Sequence, residues 1–292
     1  MATQTKKITL VECPRDAMQG WKHFIPTQQK IAYLNALLKV GFDTLDFGSF
    51  VSPKAIPQMA DTKDVIKGLQ VDKHGTRLLA IIANIRGAEE ALVFDEISCL
   101  GFPFSISPTF QMRNTNSTMA ASLQMVEEMQ NLCFKNQKEL VVYISMGFGN
   151  PYGDAYNEDM VMQWVDELVQ MNIGTISMAD TVGLATPEQV RTILSRLIAA
   201  YAGTNFGVHL HSSPVDWQPK LAAAFNAGCA RFDGALKGIG GCPMANDELV
   251  GNMDTELMIP YFQQQNLLPD LDMYALAECS KIAAKIFAVT LL

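Results

Sequence analysis

The run Gly207-Val208-His209-Leu210-His211-Ser212 places two of the chain's four histidines two residues apart in a short apolar stretch. Side chains alternate along a strand, so His209 and His211 are expected on one face. Two imidazoles side by side at a strand end suit a divalent ion; the competing account is a buried pair satisfied by backbone or carboxylate groups. Other reactive groups are scattered through the chain: Arg15 and Asp16, Asp46, Asn84 and Arg86, Asp180, Cys242 and Asn252. They form one site only if the fold gathers them.

The elements that must do so alternate from end to end. Strands are expected at 7–13, 44–50, 77–84, 96–104, 140–145, 175–178, 206–211 and 231–236. The third has the near-continuous apolar core of a parallel sheet. Helical spacing covers 27–40, 61–68, 86–92, 117–136 and 157–171, and recurs after Thr186, at 218–227, near 255–264 and at 272–289. Residues 105–116 are expected as a polar loop. Thr186-Pro187-Glu188 is a helix start, with Thr as N-cap and Pro in the first position. Eight strands alternating with helices over 292 residues is the count of a (β/α)₈ barrel, an α/β TIM barrel. An open doubly wound sheet competes, but neither GxGxxG nor GxxxxGK[ST] occurs. One catalytic barrel domain, 1–292, is the simpler organisation, with residues from about 255 forming C-terminal helices packed on it.

Apolar residues make up 49% of the chain and charged residues 18%, which is a globular composition. The net charge of -8 and the lack of a basic stripe argue against general binding to nucleic acid or a membrane surface. No apolar run approaches a bilayer span, and the polar start runs directly into a strand, unlike a secretory signal. Six cysteines without a CxxC pair give neither a disulfide framework nor a structural zinc site. Reduced thiols and a cytoplasmic protein are expected.

In a barrel of this kind, chemistry is built at the C-terminal ends of the strands. Arg15, Asp16, Asp46, Asn84, Arg86, Asp180, His209, His211, Cys242 and Asn252 all fall at or near such ends. Asp16 could equally start a turn, and Asp180 could be an N-cap. Asp46, inside an apolar strand, needs a partner, which Arg15 or a metal-bound water would supply. Cys242 lies in a glycine-rich loop that can move and expose a thiol, unlike the other five cysteines. Two imidazoles, a carboxylate and the Asn252 amide oxygen suit Mg²⁺ or Mn²⁺, with Zn²⁺, Co²⁺ and Fe²⁺ left open.

Several segments resemble the hydroxymethylglutaryl-CoA lyase family. Pro14-Arg15-Asp16-Ala17-Met18-Gln19 is similar to its PRDGLQ, and Ser49 to Lys54 with Pro57-Gln58-Met59 to its SFVSPK…PQM. Asp180-Thr181-Val182-Gly183 resembles DTIG, His209-Leu210-His211-Ser212 resembles HCHD, and Gly238 to Pro243 resembles GLGGCP. The matches keep their order from about residue 7 to 260.

The resemblance implies a barrel with added C-terminal helices, a Mg²⁺ or Mn²⁺ ion, and cleavage of 3-hydroxy-3-methylglutaryl-CoA to acetyl-CoA and acetoacetate. By position, Asp16, His209, His211 and Asn252 would bind the metal, and Arg15 would polarise the thioester carbonyl. Cys242 would help move protons, and Asp16 or His209 would take the hydroxyl proton. Gln19, Asp46 and Asp180 would surround these groups. Arg86, Arg113 and Asn114 would face the CoA part of an acyl-CoA substrate. A homodimer follows by analogy. Three positions depart from the pattern: Ala17 for glycine, Asp46 for glutamate and Ser212 for aspartate. They leave open another 3-hydroxyacyl-CoA or free hydroxy acid, the reverse condensation, and a non-catalytic metal-binding barrel. A two-His-one-carboxylate iron oxygenase is a separate rival, against which the parallel-barrel pattern argues.

Overall fold

The computed structural model describes residues 7–72, 75–241, 250–268 and 270–288. Its strands are β1 (Thr9–Glu12), β2 (Thr44–Ser49), β3 (Arg77–Ile81) and β4 (Ile97–Ser105), then β5 (Glu139–Ser145), β6 (Thr175–Ala179), β7 (Asn205–His209) and β8 (Arg231–Gly234). They pair in parallel, in chain order, and β8 closes on β1. This is the (β/α)₈ barrel expected from the alternation.

The helices α1 (Pro14–Gln19), α2 (Thr27–Leu37), α3 (Thr62–Lys67) and α4 (Ile85–Leu92) serve the first three strands. They are followed by α5 (Pro108–Thr115), α6 (Met119–Lys135), α7 (Glu158–Gln170), α8 (Pro187–Ala200) and α9 (Trp217–Asn226). After β8 come α10 (Thr255–Gln263) and α11 (Met273–Ile286). Among the described residues no helix is long and apolar enough to cross a membrane.

The main core lies between strands and helices, and alternation along β3 shows why. Leu78, Ala80 and Ile82 face the helices, whereas Leu79 and Ile81 join Cys99, Val141 and Tyr143 in a small separate cluster. That cluster fills the barrel interior. Above it the interior is polar, and there the site forms.

Two segments differ from expectation. Residues 14–19, assigned to no element from the sequence, form α1, with Pro14 where an N–H would have no intrahelical partner. The expected polar loop at 105–116 contains α5. Ser107 caps it by accepting from the Phe110 N–H at 3.1 Å, and it ends at Asn116 in the left-handed region, φ 51°. A polar helix this short has too few apolar positions for its periodicity to register, so its caps were the only signal.

Candidate active site

β1 delivers the chain into α1, which sets Arg15 and Asp16 on the C-terminal rim, both buried. Ala17 lies inside this helix, where alanine is favoured over glycine by about 1 kcal/mol. The Arg15 guanidinium is clamped between two carboxylates. Its Nε donates to the Asp46 oxygens at 3.2 and 3.0 Å, its Nη2 to Asp46 Oδ2 at 2.5 Å, and its Nη1 to Asp16 Oδ1 at 3.0 Å. Asp46, on β2, thus finds its partner in Arg15. Such a two-armed contact fixes the plane of the guanidinium.

The two carboxylates differ in how readily they take up a proton. Burial pushes the Asp46 carboxyl up to about 6, against the opposing pull of Arg15. Burial also acts on Asp16, but Arg15, the two imidazoles and a hydrogen bond from Asn252 outweigh it and hold Asp16 below its ordinary value.

His209 closes β7, in register with Ala179 of β6 and Asp233 of β8. Its Nδ1 lies 3.4 Å from Asp233 Oδ2. Burial lowers the His209 pKa, and Asp233 and Asp16 more than reverse this. His211 follows just beyond the strand, its ring centroid 5.3 Å from that of His209. The His211 Nδ1 is 2.7 Å from the Val250 carbonyl. That contact assigns the proton to Nδ1 and leaves Nε2 with a free lone pair. Burial and the neighbouring His209 lower the His211 pKa, which favours the neutral, ligand-competent ring.

Residues 250–253 run beside 210–212, with the Ser212 N–H on the Gly251 carbonyl at 2.9 Å and the Met253 N–H on the Leu210 carbonyl at 3.0 Å. This pairing sets Asn252 opposite His211. Asn252 Nδ2 donates to Asp16 Oδ2 at 2.8 Å and to the Ile239 carbonyl at 2.9 Å, so any bond to a metal must come from its Oδ1. Gly240, at φ +127°, passes so close that a Cβ would stand 2.1 Å from Asn252 Nδ2. Only glycine fits there.

Asp16, His209 and His211 bring one ligating atom each within 4.8 Å of one another. Together with the Asn252 oxygen, this nitrogen-and-oxygen set fits a hard or borderline divalent ion. Cys13, His209 and Asp233 form a second group by the same measure, deeper in the barrel. Burial and the surrounding carboxylates push the Cys13 thiol up.

A cavity of about 390 Å³ opens over the cluster. Arg15, Asp16, Asp46, His209 and His211 form its polar side, and Val51, Ile56, Ile81, Pro103 and Phe110 an apolar wall. Gln19 lines it too and donates to Asp16 Oδ1 at 2.7 Å. Arg113 and Asn114, from α5, also border the cavity, and the Arg113 guanidinium lies 4.4 Å over the Tyr152 ring.

Three expected site residues do not line this cavity. Asn252 reaches it only through Asp16 and borders a second hollow beside Ser212 and Gly251. Arg86 points outward from α4, its side chain 85% exposed, and pairs with Glu90 at 2.8 Å; its neighbour Asn84 lines the cavity instead. Asp180 is buried behind the rim, while Ala179 and Thr181 on either side of it reach the cavity. Asp180 is not an N-cap: it accepts from the Ala185 N–H at 3.0 Å, and Thr186 caps α8. Cys242 lies outside the described residues.

The sequence did not single out Ser49, Tyr143, Ser145 and Thr181, which also line the cavity, or Asp233 and Lys220 behind it. Asp233 left a usable signal, a charged residue two positions from Arg231 within a short strand, hence on the same face. Lys220 left none, because a lysine in a helix ordinarily faces water.

The comparisons with known proteins agree with this geometry. The chain matches the HMGL-like family over residues 7–283. It is 31% identical over 277 residues to a hydroxymethylglutaryl-CoA lyase of Bacillus subtilis, covering 94% of this chain and 92% of that one. It is 30% identical to a 3-hydroxy-3-isohexenylglutaryl-CoA/hydroxymethylglutaryl-CoA lyase of Pseudomonas aeruginosa, covering 94% and 91%. A solved HMG-CoA lyase from Acinetobacter baumannii, in complex with coenzyme A and 3-methylmalate, superimposes with a TM-score of 0.89 at 29% identity, covering 98% of this chain and 93% of that one. On its sequence, its barrel and the gathered cluster, the chain belongs to the HMGL-like family of carbon–carbon lyases.

Proposed function

We propose that this chain cleaves 3-hydroxy-3-methylglutaryl-CoA to acetyl-CoA and acetoacetate, the activity named for its relatives. The observation that carries the proposal is the Asp16, His209 and His211 cluster facing the same cavity as an Arg15 held rigid by Asp46. In the reaction the tertiary hydroxyl loses its proton, the bond between C2 and C3 breaks, and the acetyl thioester departs as an enolate. Asp16, His209, His211 and Asn252 would hold Mg²⁺ or Mn²⁺, which when bound lowers the pKa of a hydroxyl it contacts.

The other roles belong to the chain's own groups. Arg15 faces the thioester oxygen and stabilises the charge that develops there; its clamp means little reorganisation is needed at that moment. Asp16 or His209 takes the hydroxyl proton, since both border the cavity. Cys242 returns a proton to the enolate. Gln19 and Asp46 orient Asp16 and Arg15, and Asp180 supports the rim from behind. Arg113 and Asn114 meet the CoA portion at the cavity's edge; Arg86, facing solvent, is confined to the outer part of that ligand. The proposal takes residues 1–292 as one catalytic barrel domain, acting in the cytoplasm as a homodimer without nucleic-acid or membrane partners.

The test is a coupled assay of acetyl-CoA release from 3-hydroxy-3-methylglutaryl-CoA with Mg²⁺, Mn²⁺ or EDTA. Release that requires metal and disappears in His209→Ala and Cys242→Ala is expected. No release with any metal overturns the proposal. The apolar wall of Val51, Ile56, Ile81, Pro103 and Phe110 favours a second reading, a longer 3-alkyl substituent, as in the name of the Pseudomonas relative. Higher kcat/KM on long-chain than on 3-methyl thioesters would select it.

A further inference from the structure

Lys220, on α9, is buried to 2% exposure. Its Nζ donates to the His211 carbonyl at 2.9 Å, to Asp180 Oδ2 at 3.1 Å and to the Gly183 carbonyl at 3.3 Å, and it lies 3.1 Å from Asp216 Oδ2. An ammonium has three protons, so these four acceptors engage it completely. They come from three segments: the turn after β6, the chain just past β7, and the foot of α9. Burying a charge is expensive unless it is paired and fully hydrogen-bonded, and an apolar side chain would fill this space at lower cost. The lysine is therefore explained by what its ammonium holds together.

What it holds is one of the cluster's imidazoles. The β6–β7 ladder ends at Ala179 and His209, so His211 stands beyond the last barrel hydrogen bonds. On one side it is held by the 250–253 segment, through Val250 at its ring and the short backbone pairing around it. On the other side Lys220 grips its carbonyl and ties it to Asp180, which is itself anchored by the Ala185 N–H.

We propose that Lys220 is a positioning residue: it fixes where His211 stands and thereby sets the affinity of the cluster for its divalent ion. This rests on the reading of His211 as a metal ligand. Groups that orient metal ligands from behind change affinity by about 10–100-fold when removed.

The experiment is calorimetric titration of the full chain with Mn²⁺, together with kinetics at saturating Mn²⁺. The variants are Lys220→Met, Asp180→Asn, the double variant Asp180→Asn/Lys220→Met, and Asp216→Asn. Lys220→Met alone strands a buried carboxylate, so the double variant, which removes both charges, keeps the test independent of that penalty; thermal melts verify its fold. The double variant is expected to bind Mn²⁺ about tenfold or more weakly than Asp180→Asn alone, with lower kcat and little change in KM. Asp216, 44% exposed, contributes only a solvated arm, and Asp216→Asn should stay within about threefold of the parent. A folded double variant that matches Asp180→Asn in Mn²⁺ affinity overturns the role of Lys220. A parent protein that binds no Mn²⁺ overturns the metal reading and this proposal with it.

Discussion

Asp16 and Glu12 flank the end of β1, four positions apart and both buried, yet they stand in opposite surroundings. Asp16 turns to the rim, where Arg15, His209 and His211 supply positive charge, and it is held ionised. Glu12 turns to the seam between β1, β8 and α10. There its partners are neutral, the Leu236 N–H at 2.8 Å and the Thr255 hydroxyl at 2.5 Å. Burial pushes Glu12 up to about 8. Equal burial therefore leads to opposite protonation, and the neighbouring charges decide which. One carboxylate is kept ready for chemistry; the other is a polar pin between the first strand and the C-terminal helices.

The strongest way to break this contrast is to take the cation from the rim. Arg15→Met leaves Asp16 and Asp46 facing each other without their guanidinium. It should lower kcat about 10²–10³-fold, the scale for losing a donor that stabilises developing charge. Steady-state kinetics with 3-hydroxy-3-methylglutaryl-CoA checks this, and a near-normal kcat would remove Arg15 from the chemistry. Next is Asp46→Asn, which keeps an acceptor for Arg15 but drops the charge-assisted bond. Such a bond contributes about 1.5–3 kcal/mol, corresponding to about 10–100-fold if the loss is felt in the transition state. The expected signature is a fall in kcat with Mn²⁺ affinity preserved.

The seam gives the converse test. Glu12 in the folded chain titrates at about 8, above its ordinary 4.5, so between these values the folded state holds more protons than the unfolded chain. Its contribution to stability is full below pH 4.5 and is lost as pH rises through 8. Glu12→Gln cannot ionise. It should flatten the fall in stability between pH 5 and pH 9 by up to about 4 kcal/mol. Melts of both proteins across that range decide it; parallel curves would mean that Glu12 is not strained by burial. The smallest effect is Thr255→Val, which removes one hydroxyl partner and should cost about 0.5–1.5 kcal/mol in urea unfolding without altering kcat.

Much of this was legible in the residue order because it depends on local geometry. The barrel followed from strand and helix periods, and the shared face of His209 and His211 from the two-residue alternation of a strand. Asp46 was recognisable as needing a partner because it interrupts an apolar run. The α5 helix was lost because eight mostly polar residues carry too weak a period. Arg86 and Arg113 look alike in sequence, both basic residues after strands. Yet Arg86 sits on the outward face of its helix and Arg113 borders the cavity.

By itself the sequence determined the eight strands, most of the helices, their order, and which residues stand at the strand ends, since propensity, capping and periodicity act over a few residues. Only the closed barrel decided who meets whom. It joins Arg15 to Asp46, 31 positions away, and Asp16 to Asn252, 236 positions away. It also turned Lys220 inward, and made Asp16 an anion while leaving Glu12 a proton. Partner choice and ionisation depend on register, burial and the charges within a few ångströms, and those exist only once distant segments have been packed together.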